Sequence, residues 1–97
     1  MRTLLIVAAL FAAAPVSAQA PAATRAVLAD AAKAPSDRTI IDGAAWRCEG
    51  ASCTATGGAS QPAARACRRV VARFGAVTEF VWKGQALTAE QLATCNA

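Results

Sequence analysis

Four cysteines, Cys48, Cys53, Cys67 and Cys95, all lie downstream of an N-terminal stretch that reads as an export signal. Thiols delivered to an oxidising compartment pair with one another, so these residues act first as covalent staples. The signal has its three parts in order: Met1-Arg2 gives a positive start, Leu4 to Ala14 an apolar run, and Val16-Ser17-Ala18 a small-x-small cleavage site. Cleavage is placed after Ala18, because a cut after Ala20 leaves Pro21 first in the mature chain. The apolar run is about eleven residues, short of the roughly 20 that a helix needs to cross a bilayer; an uncleaved anchor is the alternative. No cysteine follows the cleavage triplet, which argues against a lipoprotein. The expected location is therefore periplasmic or secreted, with no transmembrane segment in the mature chain.

What remains, Gln19 to Ala97, is about 80 residues, a size at which one hydrophobic core rarely supplies more than ~3–5 kcal/mol. Three stretches are expected: a cleaved signal over residues 1–18, a flexible Ala/Pro-rich arm over 19–37 and one disulfide-bonded domain over 38–97. The apolar fraction of 56% overstates the core, because much of it is alanine and part belongs to the signal. The candidate core is Val27, Leu28, Ile40, Ile41, Trp46, Val70, Val71, Phe74, Val77, Phe80, Val81, Trp82, Leu87 and Leu92. The arm has only Val27-Leu28 as an apolar anchor, too little to offset the entropy of ordering it. A short docked strand through Val27 to Ala29 is the competing reading.

Arg38 to Ile41 fits an edge strand closed by the turn pair Asp42-Gly43. Ala44 to Cys48 and Cys53 to Ala55 frame Glu49-Gly50-Ala51-Ser52, a common hairpin loop length, so Cys48 and Cys53 face each other across it. Alternation places Trp46 and Cys48 on the core side and Arg47 on the other. A helix starts at Ser60 or Gln61 before Pro62 and stops at Gly75. Ala63, Cys67, Val70, Val71 and Phe74 form its apolar stripe, and Arg65, Arg68, Arg69 and Arg73 its opposite side. Val77 to Trp82 has strand composition and Lys83-Gly84 turns it. Thr88-Ala89-Glu90-Gln91 is a capping box flanked by Leu87 and Leu92, which opens a final helix over about Ala89 to Cys95. Such a short helix is marginal alone and needs a tether.

Cys48–Cys53 closes the hairpin and Cys67–Cys95 ties the main helix to the last one, which favours this pairing among the three arithmetically allowed. The two crossed pairings require the hairpin cysteines to point at different places. Zinc is disfavoured as a use of the thiols: the spacing C-x4-C-x13-C-x27-C lacks paired knuckles and the chain has no histidine. Dithiol redox catalysis normally uses C-x-x-C at a helix N-terminus, and neither feature is present.

Without histidine, no base stands beside Ser52, Ser60 or a cysteine for nucleophilic catalysis. The carboxylates are Asp30, Asp37, Asp42, Glu49, Glu79 and Glu90, and no spacing joins a pair such as Glu79 and Glu90 into a glycosidase site. Gly57-Gly58 is a lone pair in a small-residue linker and not a phosphate loop. The expectation is a non-catalytic protein without metal or cofactor.

The most functional-looking feature is the arginine face of the main helix, Arg65, Arg68, Arg69 and Arg73, with Arg47 and Lys83 as candidate neighbours. Arginine presents a planar fork suited to phosphate or carboxylate, so this face is a candidate for anionic envelope components or an acidic protein partner. A solvated face that keeps the protein soluble is the plainer reading. Nucleic acid is disfavoured, because no aromatic residues interleave with the arginines.

The signal, T-R-A-V-L at Thr24 to Leu28, W-R-C-E-G-x-S-C at Trp46 to Cys53, the proline-led helix with Cys67, and L-x-x-C-N at Leu92 to Asn96 together resemble a family of short exported bacterial four-cysteine proteins of unknown function. The resemblance spans nearly the whole chain. It implies export and a four-cysteine domain and supplies no catalytic residue.

The expected fold is α+β: a small disulfide-stabilised domain of a β-hairpin and short strands with one main helix and a short C-terminal helix. The expected role is that of an exported protein acting through its surface in the envelope. The alternative is a thiol-disulfide redox protein or sensor with a labile disulfide.

Overall fold

The structure is a computed structural model and describes residues 23–97. The signal over 1–18 and residues 19–22 of the expected arm lie outside the described residues. Six strands form one antiparallel sheet, β1 (Thr24–Leu28), β2 (Thr39–Ile41), β3 (Ala44–Glu49), β4 (Ser52–Gly57), β5 (Val77–Trp82) and β6 (Gln85–Ala86), in the order β2-β3-β4-β1-β5-β6. Helices α1 (Ala63–Phe74) and α2 (Ala89–Asn96) pack against each other and against β5. The fold is thus the expected small α+β domain, with both expected disulfides formed.

The largest departure from expectation is at the start. Residues 24–28 are not an arm: β1 is an interior strand, paired with β4 on one side and β5 on the other. Its side chains alternate, with Thr24, Ala26 and Leu28 buried and Arg25 and Val27 facing outward. Main-chain pairing on both edges, and not bulk apolar side chains, offsets the entropy of ordering this segment. Thr24, the buried polar residue of the core, accepts a hydrogen bond from the Lys83 amide at 3.0 Å, and the Gly84 amide donates to Ala23 at 2.8 Å. Residues 31–33 continue the chain as a single 3-10 turn, begun by Asp30 accepting from the Ala32 amide.

The turns are tighter than the sequence suggested in one place. Asp42-Gly43 joins β2 to β3 with both residues at positive φ, as a two-residue hairpin turn demands. In the next hairpin Glu49 already pairs with Ser52, so the loop is Gly50-Ala51 and not four residues. Cys48 and Cys53 are directly opposite, with Cα atoms 4.0 Å apart.

One face of the sheet is dry. Trp46 and Phe80 sit at 0% and 1% exposure beneath α1, which contributes Ala63, Ala66, Cys67, Val70 and Phe74. The Trp46 ring meets Phe74 edge-on at 6.1 Å and stacks against Phe80 at 6.3 Å. Ile40, expected in the core, is instead 53% exposed. Strand alternation at the sheet edge sends Ile41 inward and its neighbour out. Val27 and Val81 are likewise only half-buried because they lie on the outer face.

Gly58 explains why a small-residue linker follows β4. A Cβ built there lies 2.8 Å from Trp82 Cη2 and 3.1 Å from the Ala44 Cβ, at φ +106°. Gly58→Ala should therefore cost at least about 2 kcal/mol, from overpacking and from a left-handed backbone together. A urea unfolding midpoint equal to that of the unsubstituted protein would contradict this packing.

Helix α1 ends where Gly75, at φ +84°, returns its amide to the Val71 carbonyl. Helix α2 opens with the capping box in full: Thr88 Oγ1 accepts from the Gln91 amide and Gln91 Oε1 from the Thr88 amide. Its far end is fastened twice, by Cys67–Cys95 and by Asn96, whose side-chain amide bonds both the N–H and the C=O of Val77 at 2.9 and 2.8 Å.

Candidate functional site

The four arginines of α1 follow helical spacing, with Arg65, Arg69 and Arg73 one turn apart along one side and Arg68 displaced toward α2. All four are exposed and lie opposite the buried stripe, as the sequence indicated. They do not form one uniform anion surface. Arg69 is committed to an intramolecular ion pair at the surface: its Nε and NH2 donate to the two carboxylate oxygens of Asp42 at 3.1 and 2.9 Å. Arg68 lines a groove between the helices with Glu90, Gln91 and Thr94, whereas Arg73 lines another with Arg69, Ile40 and Asp42 beside the β2 edge.

Asp42 occupies the first position of the β2–β3 turn and anchors that turn to the helix. The Arg69 hydrogen bonds hold its carboxyl below the usual aspartate range; partial burial opposes them, and Gln61 and the charge of Arg65 add smaller pulls in the same direction. The Arg69 guanidinium is raised correspondingly, chiefly by its hydrogen bond to Asp42. Because the folded carboxyl is depressed, the pair stabilises the fold above the unfolded aspartate value. That contribution is lost as pH falls through the folded value. Asp42→Asn should therefore lower the thermal midpoint slightly at about pH 7 and by less at acidic pH, as the folded carboxyl takes up its proton, and the effect is small throughout since an exposed pair carries little stability. An equal loss at both pH values would show that the turn and not the charge is responsible.

The two further basic residues suggested as neighbours of this face are elsewhere. Arg47 is on the opposite side of the sheet, because Trp46 takes the core side of β3. Lys83 sits in the β5–β6 turn, where its Nζ donates to the Gly58 carbonyl at 2.7 Å and stands 5.7 Å from the Trp82 ring centroid. The outer face of the sheet holds Arg25 and Arg38 as well, and sequence reasoning missed both as surface candidates. The signal was present in β1, where alternation separates Arg25 from Ala26, but assigning this stretch to an arm concealed it.

All four cysteines are oxidised in pairs, Cys48–Cys53 and Cys67–Cys95. Cys53, Cys67 and Cys95 are buried and Cys48 is half-buried, so the hairpin bridge is the more accessible. Among the described residues no three His, Cys, Asp or Glu side chains gather as a metal site, and no helix is long and apolar enough to cross a membrane. The chemistry this surface offers is multivalent contact with anions by exposed guanidinium groups.

Neither a curated protein nor a solved structure matches the chain. A family of unknown function, DUF8200, matches residues 5–97, and the chain belongs to that family.

Proposed function

We propose that this is a small non-catalytic bacterial protein, exported to the periplasm or beyond, that acts through its surface on anionic components of the envelope or on an acidic protein there. The observation that carries the reading is that Arg65, Arg68 and Arg73 project from α1, exposed and without a carboxylate ion pair among the described residues. Burial of the opposite helix stripe and the Asp42 anchor on Arg69 fix the orientation of that face. The signal-like segment at residues 1–18 and the two disulfides support an oxidising destination.

The test is retention on vesicles of phosphatidylglycerol in phosphatidylcholine, measured for the protein and for the Arg65→Gln/Arg68→Gln/Arg73→Gln variant. Retention that falls at least about tenfold in the variant and weakens with added salt supports the reading. Unchanged retention sinks it.

A second reading, a thiol-disulfide protein, is favoured by the accessibility of Cys48. It requires a Cys53→Ser variant to trap a partner as a mixed disulfide through Cys48. Recovery of that variant without any trapped partner removes this alternative.

A further inference from the structure

The sheet face turned away from the helices carries a row of arginines set by register. Arg47 on β3 is opposite Thr54 on β4, and Thr54 is opposite Arg25 on β1. On the other flank Thr39 pairs with Trp46, which carries Arg38, one residue before β2, to a position opposite Arg47. Arg25 is satisfied: its guanidinium holds both carboxylate oxygens of Glu79, at 2.6 and 3.3 Å. Arg38 and Arg47 are exposed, and neither forms an ion pair among the described residues.

These two side chains line an open groove of about 220 Å³ together with Ala45, Thr54, Ala55 and Thr56. Cys53 and Ala55 alternate with the threonines and are buried on the core side, so the two hydroxyls stand on the arginine side. Neither hydroxyl has a protein hydrogen-bond partner among the described residues. Glu49 lines the adjoining groove with Arg47, Ser52 and Thr54, is not among the residues that line this one, and makes no ion pair with either arginine among the described residues.

Like charges directly opposite on adjacent strands destabilise a sheet, and an anion held between them turns that repulsion into two attractions. The volume is below the roughly 300–1,000 Å³ of sites that enclose a whole small molecule, so the groove takes a group and not an entire ligand. Two guanidinium forks and two hydroxyls supply more donors than the two oxygens of a carboxylate use, whereas a phosphoryl group offers three terminal oxygens. We propose that this groove is a phosphate-binding site, with Arg38 and Arg47 bracketing the phosphoryl group and Thr54 and Thr56 donating to its remaining oxygens. The site is on the opposite side of the sheet from α1 and is independent of the arginine face of that helix.

The test is a titration of the oxidised protein with inorganic phosphate at constant ionic strength, followed by amide NMR shifts. Saturable shifts should centre on residues 38, 45–47 and 54–56. Arg47→Gln should weaken binding at least about tenfold, as expected for losing a charge-assisted contact. Arg47→Lys should recover part of the loss, and Arg65→Gln/Arg68→Gln/Arg73→Gln should change nothing. Thr54→Val provides a second variant should Arg47→Gln disturb folding, and a several-fold loss is expected there.

A parallel measurement uses vesicles containing phosphatidic acid, with phosphatidylcholine alone as control. Saturation by inorganic phosphate identifies a soluble phosphate as sufficient. Binding to phosphatidic acid alone that Arg38→Gln/Arg47→Gln abolishes identifies a phosphate presented by lipid. Both results uphold the site. Shifts that stay linear with no vesicle binding, or binding untouched by the Arg47 and Thr54 variants, overturn it.

Discussion

Trp46→Ala leaves the chain without a cooperative unfolding transition at 37 °C. The Trp46 ring is at 0% exposure and touches both halves of the core, Phe74 on α1 and Phe80 on β5. Truncating such a residue costs about 3–5 kcal/mol, through lost transfer energy and the cavity left behind. A domain of this size draws only ~3–5 kcal/mol from its core, so the substitution removes most of what the core supplies and leaves the two bridges to restrain a chain without a packed interior. Trp46→Phe should be far milder. It keeps an aromatic ring between Phe74 and Phe80 and removes the indole Nε1, which is buried without a hydrogen-bond partner among the described residues. Far-UV circular dichroism against temperature separates the cases. An alanine variant melting within a few degrees of the parent would show that the core is not organised around this ring.

Cys67→Ala/Cys95→Ala is the second large effect. This bridge spans 28 residues of sequence, and closing a loop of that length stabilises by about 3.6 kcal/mol in the chain-entropy treatment. The Cys48–Cys53 bridge spans only five residues, which gives about 2 kcal/mol. The long bridge is also the covalent hold on α2, a helix of eight residues that is otherwise kept by its cap and by Asn96. Its loss should release α2 first, seen as fast amide exchange over residues 89–96, and lower the thermal midpoint more than Cys48→Ala/Cys53→Ala does. The reverse order would mean that the hairpin staple carries the fold.

Much of this architecture was legible in the residues. The pairing of the cysteines followed from the hairpin and from the apolar stripe bearing Cys67. The capping box at Thr88 and the glycine stop at Gly75 mark helix ends by chemistry that acts within a few residues, so tertiary context did not alter them. Trp46 could be placed on the core side because strand alternation is strict.

What failed depended on non-local pairing. β1 lies between two strands that follow it by more than twenty residues, and its core side is threonine, alanine and leucine. A reading that counted apolar bulk therefore took it for an arm. The strand β6 was missed for a similar reason, since Gln85-Ala86 has no strand pattern and is held by its pairing to β5. Within the candidate sites, the arginine face of α1 was readable from helical spacing, but the diversion of Arg69 to Asp42 was not, because it joins residues 27 positions apart. The alignment of Arg38, Arg47 and Arg25 across strands needed the register of the sheet.

That the chain is exported and held folded by its two oxidised bridges is our proposal. It is tested most directly by the intact mass of the protein recovered from the envelope and culture fractions, taken after alkylation with and without prior reduction. The account predicts a mass corresponding to Gln19–Ala97, with no alkyl groups before reduction and one on each of Cys48, Cys53, Cys67 and Cys95 after it. A full-length mass confined to the cytoplasmic fraction, or thiols that alkylate without reduction, would contradict it.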